Sequence, residues 1–368
     1  MVQSVDVQCT CHVLFAFDVG YDVELDEAEQ QIDATRARQL VSHRRRAPAW
    51  FQYEVPPLRI GRDGQGVKLA AAQCVAEVNC TLFDFGAISV SFRIPVVAQL
   101  DQLVAISEFL YEDDEMLAEA RRQARSVIDL LGPVGRELAV SEFVEDYVVF
   151  SFGALDSPGG IEAFVQRHAN RLTAILLADS STASAQQVRD CLATRLSYGS
   201  NDMVIVHWNG SLVFDAEPED VLLLLEHANV MSVELRYLDR QLDGLLENSR
   251  AIMGKESQHG IWPLLPRSQD MRQLAEVQVD SAMMFEGMNN AIKLIGDQYL
   301  ARVYRLVAEK FHLPDWDANV RRKLDTANNI FAKINDQRAN RRIEVLEIII
   351  IVLILIEVVR PFIPWVPH

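Results

Sequence analysis

The strongest constraint on this chain lies at residues 338–368, RANRRIEVLEIIIIVLILIEVVRPFIPWVPH. Residues 348–356 carry no polar side-chain atom. Arg338, Arg341 and Arg342 precede this run, and Trp365 and three prolines follow it. A helix that is apolar all round must be surrounded by other apolar matter, either protein or lipid. A basic flank, an apolar run and a terminal aromatic predict a C-terminal membrane segment over 343–365. Its anchor is Ile348, Ile351, Leu353, Leu355 and Trp365, and its flank is Arg338, Arg341 and Arg342. Residues 343–359 give roughly 25 Å of helix, at the low edge for a hydrocarbon core about 30 Å thick. Four polar residues interrupt the segment. Glu344 and Glu347 fit the headgroup layer beside the arginines, and Glu357 can pair with Arg360 at the far interface. A ring of Glu357 side chains around a pore is the less simple account. The competing reading of the segment is a core helix at the centre of an oligomer. With the arginines before the segment, residues 1–342 are expected on the cytoplasmic side of an inner membrane.

The rest of the chain reads as folded protein. At 368 residues, with 49% apolar and 24% charged side chains, it has room for two domains and an anchor. The net charge of −17 argues against binding nucleic acid by charge alone. Five cysteines lack CxxC spacing, and the start MVQSVDVQC lacks a charged-then-apolar leader. Both features suit a reducing compartment.

Residues 4–20 alternate, with Cys9, Cys11, Val13, Phe15 and Phe17 on one face, which predicts a half-buried strand. Cys9 and Cys11 therefore point away from His12, and core cysteines are favoured over a metal cluster. A helix over 26–46, strands near 74–82 and 88–94, helices over 97–110 and 113–131, and a strand at 143–153 complete a β-α-β-β-α-β order. That order predicts a ferredoxin-like split βαβ region. Residues 61–66, GRDGQG, read as a loop without phosphate-loop spacing. Asn209-Gly210 between 203–208 and 211–214 predicts a hairpin.

From Pro218 the pattern changes to long helices. Leu224, Ala228, Met231, Leu235, Leu238 and Leu242 recur in steps of three and four, a seam for a helical hairpin or an oligomer. Further long helices are expected over about 274–303 and from Trp316 onward. The expected class is thus α+β: a split βαβ region over 1–215, an antiparallel long-helix bundle over 216–342, and a transmembrane helix over 343–365. Three stretches resemble the YagE-like family, named in eukaryotes for "required for meiotic nuclear division". They are Tyr147-Val148-Val149-Phe150-Ser151-Phe152-Gly153, residues 220–246 with Glu226-His227-Ala228-Asn229, and residues 342–358. The resemblance implies a C-terminally anchored homo-oligomer, at the inner membrane of mitochondria in eukaryotic members, and it carries no catalytic residues.

No catalytic or metal spacing stands out, and no cofactor is expected. The functional expectation is a membrane-anchored, homo-oligomeric scaffold or assembly factor with a protein partner and no catalysis of its own. The alternative is a ligand-binding sensor or enzyme with a pocket between the α+β domain and the helices, using His227, Glu234 and Asp239. His227 and Glu234 are seven residues apart and share a helix face.

Overall fold

The computed structural model describes residues 6–20, 23–36, 57–69, 72–111, 113–132, 138–153, 155, 157–258, 279 and 298–359. They divide into two compact units: Met1–Leu238 with Asp280–Ala318, and Asp239–Val279 with Asn319–His368.

The first unit is built on one sheet. Its strands are β1 (Asp6–Asp18), β2 (Leu58–Leu69), β3 (Ala72–Leu82), β4 (Ala87–Gln99), β5 (Val144–Phe152), β6 (Arg195–Leu196), β7 (Met203–Val206) and β8 (Gly210–Phe214). They line up as β2-β3-β4-β1-β5-β8-β7-β6. All pairings are antiparallel except β5 with β8, which is parallel. Gly210 sits where these two strands meet. A Cβ there would lie 2.8 Å from the Val148 carbonyl oxygen, so only glycine fits without a shift.

Alternation along β1 decides which side chains face which layer. Cys9, Cys11, Val13, Phe15 and Phe17 join Cys80, Val90, Phe92, Phe150 and Phe214 in the main core. That face is covered by α1 (Leu25–Arg36), α2 (Leu100–Tyr111), α3 (Asp114–Leu131), α4 (Gly160–Arg167), α5 (Ala169–Leu177) and α6 (Ala185–Ala193), which contribute Ala28, Leu103, Val127, Phe164, Leu172 and Leu192 to it. Asp113 caps α3 by accepting from the backbone of Glu115 and Met116. Burial pushes the Cys9 thiol up to about 12, as suits a core cysteine. The opposite face bears Leu14, Ala16, Asp18, Thr81, Ser89 and Tyr147, also buried. It lies under α7 (Glu219–Gln258), and Phe311, just beyond α8 (Gln298–Lys310), sets its ring 4.8 Å from that of Tyr147.

Three expectations are corrected here. The sheet has eight strands in mixed pairing, so a four-stranded split βαβ sandwich is too small a description. Residues 61–66 are not a free loop. They lie inside β2, whose register against β3 shifts between Arg62 and Gln65. A bulge lets a glycine-rich stretch continue a strand, which is why it reads as punctuation in sequence.

The third correction concerns α9 (Leu313–Val359), the 47-residue helix that carries the apolar run. Among the described residues no helix is long and apolar enough to cross a membrane. The reason is visible in the chain. The uninterrupted apolar part spans 348–356, roughly 14 Å of rise, and Glu344, Glu347 and Glu357 crowd it from both sides. The transmembrane helix, the bilayer as partner, and the single-pass placement in an inner membrane, bacterial or mitochondrial, all lose their basis. Ile348, Ile351, Leu353 and Leu355 remain as an exposed apolar helix surface rather than a lipid anchor. Arg360 and Trp365 lie outside the described residues, as does nearly all of 259–297, where the middle helix of the expected bundle was placed.

Candidate functional site

Helix α7 presents polar groups where a helix on a sheet normally presents aliphatic ones. Glu226, His227, Asn229, Ser232 and Glu234 are all buried. They share α7 with Val221, Leu224, Leu225, Ala228, Val230, Met231, Val233, Leu235 and Leu238, also buried. The helix is covered almost all round here, so polar positions between the apolar ones are enclosed as well.

Most of these polar groups have partners. Arg59 on β2 donates to Glu226 Oε2 at 2.8 Å, and Thr81 on β3 donates to Oε1 at 3.0 Å. Asn229 donates to the carbonyl of Glu145 at 3.0 Å, while the Glu145 carboxylate pairs with Arg236. Phe143 and Tyr237 meet edge to face. Tyr147 donates to the His207 carbonyl at 2.8 Å and lies 2.5 Å from Ser211 Oγ. The helix is thereby tied to β2, β3 and β5.

Glu234 is different. It is 0% exposed, and neither carboxylate oxygen has a hydrogen-bond partner among the described residues. Burial, reinforced by the charge of Asp18, holds its carboxyl well above the usual range. Asp18, at the end of β1, is pushed up to about 7 by burial, against a backbone hydrogen bond from Gly20. His227 packs 6.2 Å from Phe83, and burial depresses it to about 4. At neutral pH His227 is therefore a neutral imidazole and Asp18 is about half protonated. Neither His227 nor Glu234 lines either of the cavities near helices α5 and α6. Among the described residues no cluster of His, Cys, Asp and Glu could hold a metal ion.

Asp239, the third residue of the expected pocket, belongs to the second unit. There it meets α9: Lys323 reaches Asp239 at 2.7 Å and Asp243 at 2.6 Å, and Asn319 donates to Asp239 at 2.5 Å. Leu242, Leu245, Leu324 and Ala327 are buried in the same unit. The seam read from the sequence (Leu224, Met231, Leu235, Leu238 and Leu242) is buried within one chain. The far part of α9 has no such cover among the described residues. Ile343, Leu346 and every residue of 348–356 are exposed, from 46% at Val352 to 63% at Ile351, and Glu347 is exposed beside them. Arg338, Arg341, Arg342, Glu344 and Glu357 are helical, and their side chains lie outside the description.

Sequence reasoning picked out His227 and Glu234 but missed Asp18, Arg59 and Thr81. The last three lie far from α7 in the chain, and only strand pairing brings them under it. The alternation of β1 did place Asp18 on the face opposite Phe17, which is the one signal that could have found it.

A family model described as the N-terminal domain of uncharacterized protein MJ0711 matches residues 8–220. The chain is 21% identical over 192 residues to "Uncharacterized protein MJ0711" of Methanocaldococcus jannaschii, covering 52% of this chain and 57% of that relative. The chain thus spans little more than half the length of the curated relative it matches. No solved structure matches. The YagE-like resemblance is corrected by these matches, and the family model lies over the sheet and its helices and ends as α7 begins. Its motifs were an apolar strand, an amphipathic helix and an apolar helix end, patterns that unrelated folds share because burial demands them.

Proposed function

Because the chain belongs to the family of the MJ0711 N-terminal domain, whose name assigns no activity, we propose its function from the surface that its fold leaves open: a homo-oligomeric scaffold or assembly factor without catalysis of its own. The observation that carries this reading is the uncovered apolar end of α9. Consecutive helical positions turn by about 100°, so residues 348–356 cover the full circumference. No single flat surface hides such a segment, whereas a bundle of equivalent helices from several copies surrounds it. Full burial is worth about 1.5–3 kcal/mol per large aliphatic side chain, so even half coverage of these nine residues is worth roughly 10 kcal/mol. That driving force offsets the entropy of bringing copies together.

The non-catalytic part of the reading rests on enclosure. The buried ionisable groups of α7, Glu226, His227 and Glu234, lie under the helix, where a substrate does not reach them. The ligand-pocket alternative built on His227, Glu234 and Asp239 has less support, since Asp239 is engaged by Lys323 and Asn319 and the other two line neither cavity.

Mass photometry of the full chain and of a chain ending at Asn340 tests this. The full chain, 41.5 kDa per copy, is expected as a discrete oligomer and the shortened chain as a monomer. A monomeric full chain would overturn the proposal.

A further inference from the structure

A second feature is independent of assembly. Helices α5, α6 and α8, with His207 just beyond β7, line a cavity of about 370 Å³ that is broadly open to solvent. Six side chains give it its chemistry: Lys310, His207, Gln186, Gln187, Cys191 and Asp190. Lys310 closes α8 and is half-buried. In a chain with a net charge of −17, it makes no ion pair with any carboxylate among the described residues. A half-buried ammonium beside an open cavity leaves its positive charge free to attract an anion.

Its surroundings favour an anion. His207 and Cys191 both feel the Lys310 charge. Burial first and Lys310 second depress His207 to about 4, so its ring is neutral and can donate one hydrogen bond without adding charge. The Nδ1 atom of His207 is buried and has no hydrogen-bond partner among the described residues. Gln186 and Gln187 offer amide donors at the mouth. They stand in the first turn of α6, where Ser184 caps the helix by accepting from the Gln187 backbone and the helix dipole adds to the positive potential. Asp190 is the single opposing charge on the wall, and it is exposed.

We propose that this cavity binds a small oxyanion-bearing molecule, a phosphate or a carboxylate, with Lys310 as the charge partner and His207, Gln186 and Gln187 as donors. The volume admits a metabolite of several heavy atoms rather than a bare ion alone. The dominant contribution is the single ammonium, so affinity for a minimal anion is modest.

Calorimetric titration of the full chain with inorganic phosphate and, separately, with acetate tests the site. At least one anion is expected to bind, and which one does distinguishes the two sources. Lys310→Met is expected to weaken that binding by tenfold or more. Asp190→Asn, at an exposed position, is expected to strengthen it several-fold, because a repelling charge is removed. Gln187→Glu is expected to weaken it without disturbing the fold. A structural role for these residues predicts no gain in Asp190→Asn. No heat with either anion, or heat unchanged in Lys310→Met and Asp190→Asn, would overturn the proposal. The oligomeric state of α9 does not enter the readout.

Discussion

Asp18 is the residue at which this fold keeps a titratable group under tension. In the folded chain it holds its proton up to about pH 7, whereas in the unfolded chain it releases it near the ordinary 3.8. Between those values the folded state binds more protons, so the Asp18 contribution to stability falls as pH rises and is level above about 7. Glu234, raised by burial and by Asp18, acts in the same direction above its ordinary 4.5. The buried histidines act oppositely. His227, His12 and His207 are each depressed to about 4, so the unfolded state binds more protons between there and 6.5, and stability rises with pH in that window. The two trends mask each other in the parent protein, and a comparison separates them. Asp18→Asn is expected to be the more stable chain, by a margin that grows from pH 4 to pH 7 at up to about 1.4 kcal/mol per pH unit. Urea unfolding at several pH values measures it, and a margin that does not change with pH would refute the assignment. At Gly210 the prediction has the other sign. A valine there must displace the Val148 carbonyl, at a cost of about 1–3 kcal/mol, read as a lower melting temperature.

Helices α7 and α9 meet within the second unit. In the second unit Lys323 lies between Asp239 and Asp243, one turn apart on α7. Lys323→Met is expected to destabilise by about 1–3 kcal/mol, since it leaves two carboxylates facing each other with one of them half-buried. Lys323→Arg should recover part of that loss in the same denaturation experiment. At the far end of α9, Ile351→Glu together with Leu355→Glu is expected to shift assembly toward monomer at micromolar concentration. Sedimentation velocity would show it, and an unchanged distribution would argue against helix-mediated assembly. The elements differ in how legible they were. The strand over 4–20 and the hairpin near Asn209 follow from local pattern, because side chains alternate wherever one face is buried. β2 did not, because its glycines imitate a loop and its partner strand is set by tertiary pairing. The apolar run was plain, but its meaning was not: a fully apolar helix end reads alike whether lipid or protein is to cover it.

For the molecule as a whole, the sheet with both faces covered coincides with the stretch that the family model matches. The size of the sheet was hidden in the sequence. Its parallel β5–β8 pair joins strands far apart in the chain, with α4, α5 and α6 between them, and no local signal announces such a partner. The polar layer was half visible, as His227 and Glu234 on one helix face, while its sheet side was assembled only by folding. If copies associate through α9, association and stability are linked by mass action. The melting temperature of the full chain is then expected to rise with protein concentration, and that of a chain ending at Asn340 to stay constant. Scanning calorimetry across a hundredfold concentration range tests this.

Among the described residues the sheet is open at both ends, and each end is blunted. β6 offers only two residues, too few to template another strand, and β2 is bent by its register shift and carries Arg59 and Arg62 near the bend. Strand-by-strand growth into fibres is therefore disfavoured at both edges. A chain with a long exposed apolar helix has every reason to stick to its copies, yet this architecture steers that tendency away from the sheet, where uncontrolled polymerisation would begin.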